Sequence, residues 1–232
     1  MEDALRSVRD FAEIVIVDDF SADNTLPISR NFTDKIFQMK WQGYAKQKQA
    51  SIDKASCEWV LVLDADERVT EELKKEIAAA VASDEYRGYF IPRKNFFLGK
   101  WIRHGGWSPD YTMRLFRKDS AHMEQREVHE KIVVNGKTGY LKSPMEHYTY
   151  RKISDYLKKM DSYSSLSAKE LHQKGKAFRL HHLFVKPPFT FLRMFFLQQG
   201  FRDGAYGFIL AMLYSVYTFL KYLKLWELQK PQ

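Results

Sequence analysis

Two short apolar runs constrain this chain more than anything else in it: Glu13-Ile14-Val15-Ile16-Val17-Asp18 and Glu58-Trp59-Val60-Leu61-Val62-Leu63. The first is rich in β-branched residues. Each gives way at once to a carboxylate-bearing stretch, Asp19-Phe20-Ser21-Ala22-Asp23-Asn24 after the first and Asp64-Ala65-Asp66 after the second. The pattern predicts buried strands opening into loops. A weaker strand is expected at 35–39, and 44–55 has helical composition. Beyond the second loop Thr70 stands where a helix N-cap belongs, and Glu71 and Glu72 fall in the first turn, which the helix dipole favours. Leu73, Ile77 and Val81 then recur at the spacing of one buried face. Strands alternating with helices predict an α/β fold with a parallel sheet, where ligands collect at the carboxyl ends of strands.

The middle of the chain predicts strands at 88–93, 111–117, 127–134 and 138–141, with Asn135-Gly136 as a hairpin turn between the last two. A helix is expected over 154–174, with Leu157, Met160, Ser164, Ala168 and Leu171 on one face and Gly175 as its stop. Pro187-Pro188 marks a boundary, beyond which the chain is apolar and aromatic as far as Trp226. Its densest part, 204–220, falls slightly short of the ~20 residues that span a bilayer. Ser215 and Thr218 interrupt that part, and Arg193, Arg202, Lys221 and Lys224 flank its pieces. This predicts peripheral, in-plane attachment to a membrane. The expected domains are a catalytic domain at 1–150, a helical connector at 151–186 and a membrane-associated region at 187–232.

A length of 232 residues fits one domain with an appendage, and a net charge of +8 suits an anionic partner, such as a phospholipid surface or a phosphorylated substrate. No zinc-ligand spacing or RNA-binding aromatic pattern supports a nucleic-acid partner. The single cysteine, Cys57, excludes an internal disulfide, fits a reducing compartment and is expected to be packed. The N-terminus shows no charged segment followed by an apolar one, so no secretory signal is expected.

Asp64 and Asp66 carry the clearest chemistry. Two carboxylates one residue apart on an extended backbone can serve one site and hold Mg²⁺ or Mn²⁺ with positions left for a diphosphate. Such a cation neutralises a departing diphosphate. A nucleotidyltransferase would use similar aspartates, but it normally adds a glycine-rich phosphate loop, which this sequence lacks.

The segment Trp59–Glu67, W-V-L-V-L-D-A-D-E, resembles the metal-binding core of family 2 glycosyltransferases. Ile14–Thr25, I-V-I-V-D-D-F-S-A-D-N-T, resembles their nucleotide-binding strand and loop, and Gly43–Ala50, G-Y-A-K-Q-K-Q-A, their basic segment. N-F-F-L-G-K-W-I from Asn95, G-G-W from Gly105, P-D-Y from Pro109, R-L-F-R from Arg114 and V-H-E from Val128 resemble one bacterial subgroup. That subgroup includes the β-1,4-glucosyltransferases of the lipopolysaccharide inner core. The resemblance extends from residue 2 to about residue 226.

It implies a GT-A fold, a Rossmann-like mixed sheet flanked by helices, with a C-terminal helical, membrane-associating appendage. It implies an inverting hexosyltransferase using a UDP-sugar, UDP-glucose first, with Mg²⁺ or Mn²⁺. The acceptor would be a glycolipid or saccharide of the lipopolysaccharide core, met at the cytoplasmic face of the bacterial inner membrane. By the same resemblance Asp18, Asp19 and Asp23 contact the uracil and ribose, or else form the turn. Lys46 lies near the base or diphosphate, or is a solvated lysine on a helix. Asp64 serves the ribose, diphosphate and metal, and Asp66 binds the metal directly. His129 is a further metal ligand or, with Glu130, an acceptor contact, or the two are a structural pair at a strand edge. Asp110, in P-D-x-x-x-R, is the general base, or a loop acid paired with Arg114. Trp101, His104 and Trp107 form an aromatic wall for the sugar, or anchor the core.

Two departures stand out. Members of the family usually begin with an apolar strand ending in Lys-Asn-Glu-Glu, whereas this chain starts at Met1 inside what should be the next helix. Absence of that strand is expected to leave two unpaired strand edges. A late start, a fragment or a degenerate, catalytically inactive protein are the readings this leaves. The second departure is Cys57, where glycine is usual.

Overall fold

The computed structural model describes residues 1–11, 13–124 and 131–230. It comprises two compact units, Met1–Lys94 with Asp110–His147, and Asn95–Pro109 with Tyr148–Gln232. The first unit opens with α1 (Glu2–Arg6), β1 (Ile16–Asp18), α2 (Thr25–Arg30), β2 (Ile36–Gln38) and α3 (Tyr44–Lys54). It continues through β3 (Trp59–Leu61), β4 (Glu67–Arg68), α4 (Glu71–Ser83) and the start of β5 (Gly88–Phe97). After β6 (Lys100–Trp101), which is in the second unit, come β7 (Tyr111–Arg117), β8 (Ala121–Glu124), β9 (Lys131–Val134), β10 (Thr138–Tyr140) and the start of β11 (Met145–Tyr150). The second unit then holds α5 (Ile153–Gln173), α6 (His181–Leu192) and α7 (Ala205–Leu228), with a π-helical turn at Arg193–Leu197 and a 3-10 turn at Gly200–Asp203.

In the first unit the sheet runs β3-β7-β5-β11-β4, with β10 parallel beside β5. It is mixed rather than parallel throughout, because β7 returns between β3 and β5 antiparallel to both. Alternation along β3 sorts side chains onto two faces. Trp59, Leu61 and Leu63 join a core with Leu73, Ile77 and Ala80 of α4, whereas Val60 and Val62 join one with Ala45 and Ile52 of α3. Helices thus flank both faces. Thr70 caps α4 as its position implies, its hydroxyl accepting the Leu73 N–H at 3.2 Å.

β1 and β2 form a separate parallel pair. Among the described residues no ladder joins β1 to β3. A cavity of about 310 Å³ lies there instead, lined by Ile14–Val17 on one side, Trp59–Asp64 on the other and Leu5 and Val8. Among the described residues β1 pairs only with β2, and β3 only with β7.

Several local expectations need correction. Asn135-Gly136 does not close a hairpin between β9 and β10, since β9 pairs with β8 and β10 leaves to pair with β5. Residues 127–130 of the strand expected there lie outside the described residues. The buried face of α5 is Tyr156, Met160, Ser164 and Ala168, a strict four-residue repeat, and Leu157 points to solvent. Pro187 and Pro188 lie inside α6. The carbonyl of Pro187 accepts the Ser215 hydroxyl of α7 at 2.9 Å. Cys57 is exposed, and its thiol donates to Glu13 at 3.5 Å.

The second unit has its own core of Phe97, Ile102, Trp107, Tyr156, Met160, Met194, Leu210 and Ala211. The start of α7 fits against the 3-10 turn only because residue 207 is glycine; a Cβ there would overlap the Gly200 carbonyl. The whole of α7 runs for 24 residues, roughly 36 Å at 1.5 Å per residue, so it is long and apolar enough to cross a membrane. The shortness expected from the sequence is not observed, because the helix continues through Lys221 and Lys224 to Leu228.

Leu73 is fully buried between α4 and the sheet. Leu73→Ala is expected to cost about 2–5 kcal/mol of unfolding free energy by denaturant titration; a loss near zero would mean that α4 is not anchored by that face.

Candidate active site

The acidic loop after β3 is organised by a residue whose role the sequence reading missed. Glu67 is fully buried at the start of β4. Its Oε2 accepts the Asp64 N–H at 3.0 Å, which folds the D-A-D turn back on itself. Its Oε1 accepts from Arg114 Nη2 at 2.6 Å, and the same Nη2 donates to Asp64 Oδ2 at 2.6 Å. Lys48 of α3 lies 3.0 Å from the other Asp64 oxygen. Arg93 of β5 lies 3.6 Å from Glu67 and bonds Asp110 Oδ2 through Nε at 3.0 Å and Nη2 at 2.8 Å. Charges of alternating sign thus run Asp110, Arg93, Glu67, Arg114, Asp64, Lys48.

Burial by itself would raise the Asp64 pKa, but Arg114 and Lys48 outweigh it and hold the carboxyl well below the ordinary range. Arg114 shifts the opposite way: burial disfavours its charge, and Glu67 and Asp64 more than restore it. Asp64 is therefore ionised and already matched by two cations, a poor vacancy for a metal but a firm anchor for Lys48 and Arg114. Asp66 differs. Burial again opposes ionisation, and His147 of β11, its Nε2 at 3.4 Å, overcomes this and lowers the pKa. One carboxylate and one imidazole fit a divalent cation that takes its remaining ligands from diphosphate oxygens and water. Among the described residues no cluster of three or more His, Cys, Asp or Glu is close enough to hold a metal alone.

Of the residues singled out by sequence, Asp64 and Asp66 fall together here. Asp110 joins through Arg93, while Arg114, expected beside Asp110, reaches Asp64 and Glu67. Asp18 ends β1, buried, its Oδ2 accepting the Ser21 N–H at 2.9 Å. Burial raises its pKa and the Ser21 and Gln38 hydrogen bonds lower it further than that. Asp19 accepts the Trp41 N–H at 2.8 Å and Asp23 the Thr25 N–H at 2.9 Å, so all three shape the loop. Lys46 is exposed on α3, and it is Lys48 that turns toward the acidic loop. His129 and Glu130 lie outside the described residues. In the second unit Trp107 is buried against Phe97, while Trp101 stacks under Arg103 at 3.9 Å. The Lys48 signal was present in K-Q-K, as the second lysine. His147 and Arg93 gave none, since only the sheet brings β11 and β5 to the loop.

The family model described as "Glycosyl transferase family 2" matches residues 1–149. "Lipopolysaccharide core biosynthesis glycosyltransferase LpsC" of Rhizobium meliloti (strain 1021) is 31% identical over 236 residues, 96% of this chain and 86% of that protein. "Uncharacterized glycosyltransferase RT0209" of Rickettsia typhi (strain ATCC VR-144 / Wilmington) is 30% identical, covering 97% of this chain and 82% of its own length. Among solved structures, "Crystal structure of S. aureus TarS 1-349 in complex with UDP" is 16% identical with a TM-score of 0.47, covering 96% of this chain and 84% of that one. The chain belongs to glycosyl transferase family 2, and it is a glycosyltransferase.

Two outcomes follow for stability. Glu67→Gln leaves Arg114 buried with less than its full counter-charge and is expected to lose about 3–5 kcal/mol, read from denaturant midpoints. Asp64 has a folded pKa below its unfolded value of about 3.9, so its contribution is complete above that pH and is lost as pH falls through the folded value. Stability measured from pH 7 downward should hold until about pH 4 and then decline, and the decline should be shallower in Asp64→Asn.

Proposed function

We propose that this chain is an inverting hexosyltransferase that moves glucose from UDP-glucose onto a lipopolysaccharide-core or related glycolipid acceptor at the cytoplasmic face of a bacterial inner membrane. The observation that carries the reading is the D-A-D turn, with cations fixed on Asp64 and an imidazole on Asp66. The name of the LpsC relative supports the acceptor class.

In this reading the Asp18, Asp19 and Asp23 loop shapes the nucleoside pocket, and Lys46 lies at its edge. Asp64 receives the ribose and holds Lys48 toward the diphosphate, with Arg114 buried behind it. Asp66 and His147, joined by His129, would hold Mg²⁺ or Mn²⁺, which when bound offsets charge developing on the diphosphate. Asp110 accepts the proton of the acceptor hydroxyl as its oxygen bonds to the anomeric carbon. The bond from that carbon to the diphosphate oxygen breaks, UDP leaves with the electron pair, and configuration inverts. The transition state has oxocarbenium character, as in glycoside hydrolysis. Arg93 holds Asp110 through one oxygen, by Nε at 3.0 Å and Nη2 at 2.8 Å, and so fixes its position for this step.

Asp110→Asn is expected to lower turnover by roughly 10²-fold or more, with UDP binding by calorimetry unchanged. Normal transfer by that variant would remove Asp110 from the role and turn attention to Glu130. A chelator should stop transfer by the native enzyme, and Asp66→Ala should not be rescued by added Mn²⁺; full activity without metal would overturn the assignment of Asp66 and His147.

Membrane attachment in this reading is peripheral and runs through residues 187–232. One face of α7 is committed to α5, where Lys224 bonds Asp161 at 2.6 Å and Ser167 bonds Tyr217 at 2.8 Å. A helix tied along a charged partner cannot cross a bilayer without drawing that partner in. Carbonate washing of membranes is expected to release the intact chain; retention would show a span.

A further inference from the structure

A second group of charged residues lies outside the acidic loop and plays no part in the chemistry above. In the second unit Lys100, Trp101, Arg103, His104, Arg202 and Asp203 line an open cavity of about 440 Å³. Its one carboxylate is already engaged. Asp203 is buried, and its Oδ2 accepts the backbone N–H groups of Arg103 at 3.2 Å and His104 at 2.8 Å. His104 Nδ1 lies 3.3 Å from Asp203 Oδ1 and finds no hydrogen-bond partner. The three long cations have neutral company. Arg103 lies over the Trp101 ring, Lys100 over the Tyr206 ring at 5.2 Å, and Arg202 donates to Gln199 at 2.8 Å. Among the described residues none of the three forms an ion pair with a carboxylate. Elsewhere the chain pairs its cations freely, as Arg93, Arg114 and Lys224 do.

Three cations held around one cavity repel one another unless an anion joins them. Guanidinium forks suit the oxygens of a phosphate in particular. The backbone fixes the arrangement: the Gly105 N–H donates to the Gln198 carbonyl at 2.8 Å, which pins the stretch carrying Lys100 and Arg103 onto the turn carrying Arg202. That turn and the π-helical turn before it bear exposed apolar side chains. Phe196, Leu197 and Phe201 are all exposed, Leu197 to 73%. They continue an exposed apolar series along α6 and α7 that includes Phe184, Phe189, Phe208 and Met212. Cations beside an exposed apolar ridge match the boundary between lipid headgroups and acyl chains.

We propose that this cavity binds a phosphate group presented at a lipid surface, with Lys100, Arg103 and Arg202 receiving the phosphate and the Phe196–Leu197–Phe201 ridge entering the apolar layer. The test reads binding and not transfer.

The full chain is floated with vesicles of phosphatidylcholine alone or of phosphatidylcholine mixed with a minority of phosphatidylglycerol. The native chain should prefer the anionic vesicles. Arg103→Gln with Arg202→Gln should weaken that binding roughly fivefold per cation removed, about 25-fold together. A control pair with the same loss of charge, Arg30→Gln with Lys75→Gln on exposed positions of α2 and α4, should weaken it far less. Arg103→Lys with Arg202→Lys, which keeps the charge, should recover part of the binding and covers the case in which the glutamine pair fails to melt cooperatively. Cavity and control pairs that weaken binding equally would reduce the site to general surface charge and overturn the proposal. Inorganic phosphate is then titrated against the vesicle complex. Competition supports recognition of the phosphate group itself. Phosphate binding by a native chain that shows no preference for anionic vesicles would assign a soluble phosphate ester instead and overturn the lipid-surface assignment.

Discussion

The first unit depends on the buried pair of Glu67 and Arg114. A carboxylate with no exposure is tolerable only with a strong partner, and a guanidinium as buried needs the same. Each supplies the other, and the surplus of each is what shapes the loop. The second oxygen of Glu67 takes the Asp64 N–H, and the Arg114 nitrogen shared with Glu67 takes the Asp64 carboxylate. The turn carrying the two aspartates is therefore set by a core interaction and not by loop preference. Such a pair contributes little net stability compared with apolar residues of the same size. Its value lies in fixing geometry at the end of β3.

From that pair the charges extend outward in both directions, to Lys48 on α3 and through Arg93 to Asp110. Four separate elements, α3, β4, β5 and β7, thereby meet one loop. A group that must move a proton or steady a diphosphate needs its position held by neighbours that do not rearrange during the reaction. Here the neighbours are three strands of one sheet, whose register admits little adjustment, and the helix α3. Asp66 lies in the same turn, next to His147, and both carboxylates are part-exposed, 40% for Asp66 and 33% for Asp64.

The second unit solves a different problem. Its helices bury one set of faces around Phe97, Met160 and Leu210 and leave Phe184, Leu197 and Phe208 uncovered. Serine and threonine hydroxyls on the inner faces are satisfied between helices, Ser215 on the Pro187 carbonyl and Thr190 with Thr218. The polar atoms that broke the apolar pattern in the sequence are thus turned inward, and the outward surface is more apolar than the sequence alone implies.

The sequence by itself determined the elements that depend on neighbours along the chain: the strands ending at Asp18 and near Leu63, the Thr70 cap, the α4 face of Leu73 and Ile77, and the Asp64-Ala65-Asp66 loop. These follow from side-chain alternation, helical spacing and local hydrogen bonds, all short-range. The family was legible for the same reason, because its motifs are contiguous. What only the tertiary structure decided is which distant groups meet. Lys48 rather than Lys46 turns toward Asp64 because the phase of α3 against the sheet selects one lysine. His147 reaches Asp66 because β11 pairs with β4. Arg114 belongs to Glu67 and not to Asp110 because β7 runs antiparallel between β3 and β5. Pairing of strands is settled by burial of whole faces and by backbone hydrogen bonds between segments far apart in the chain, and no local pattern records its outcome.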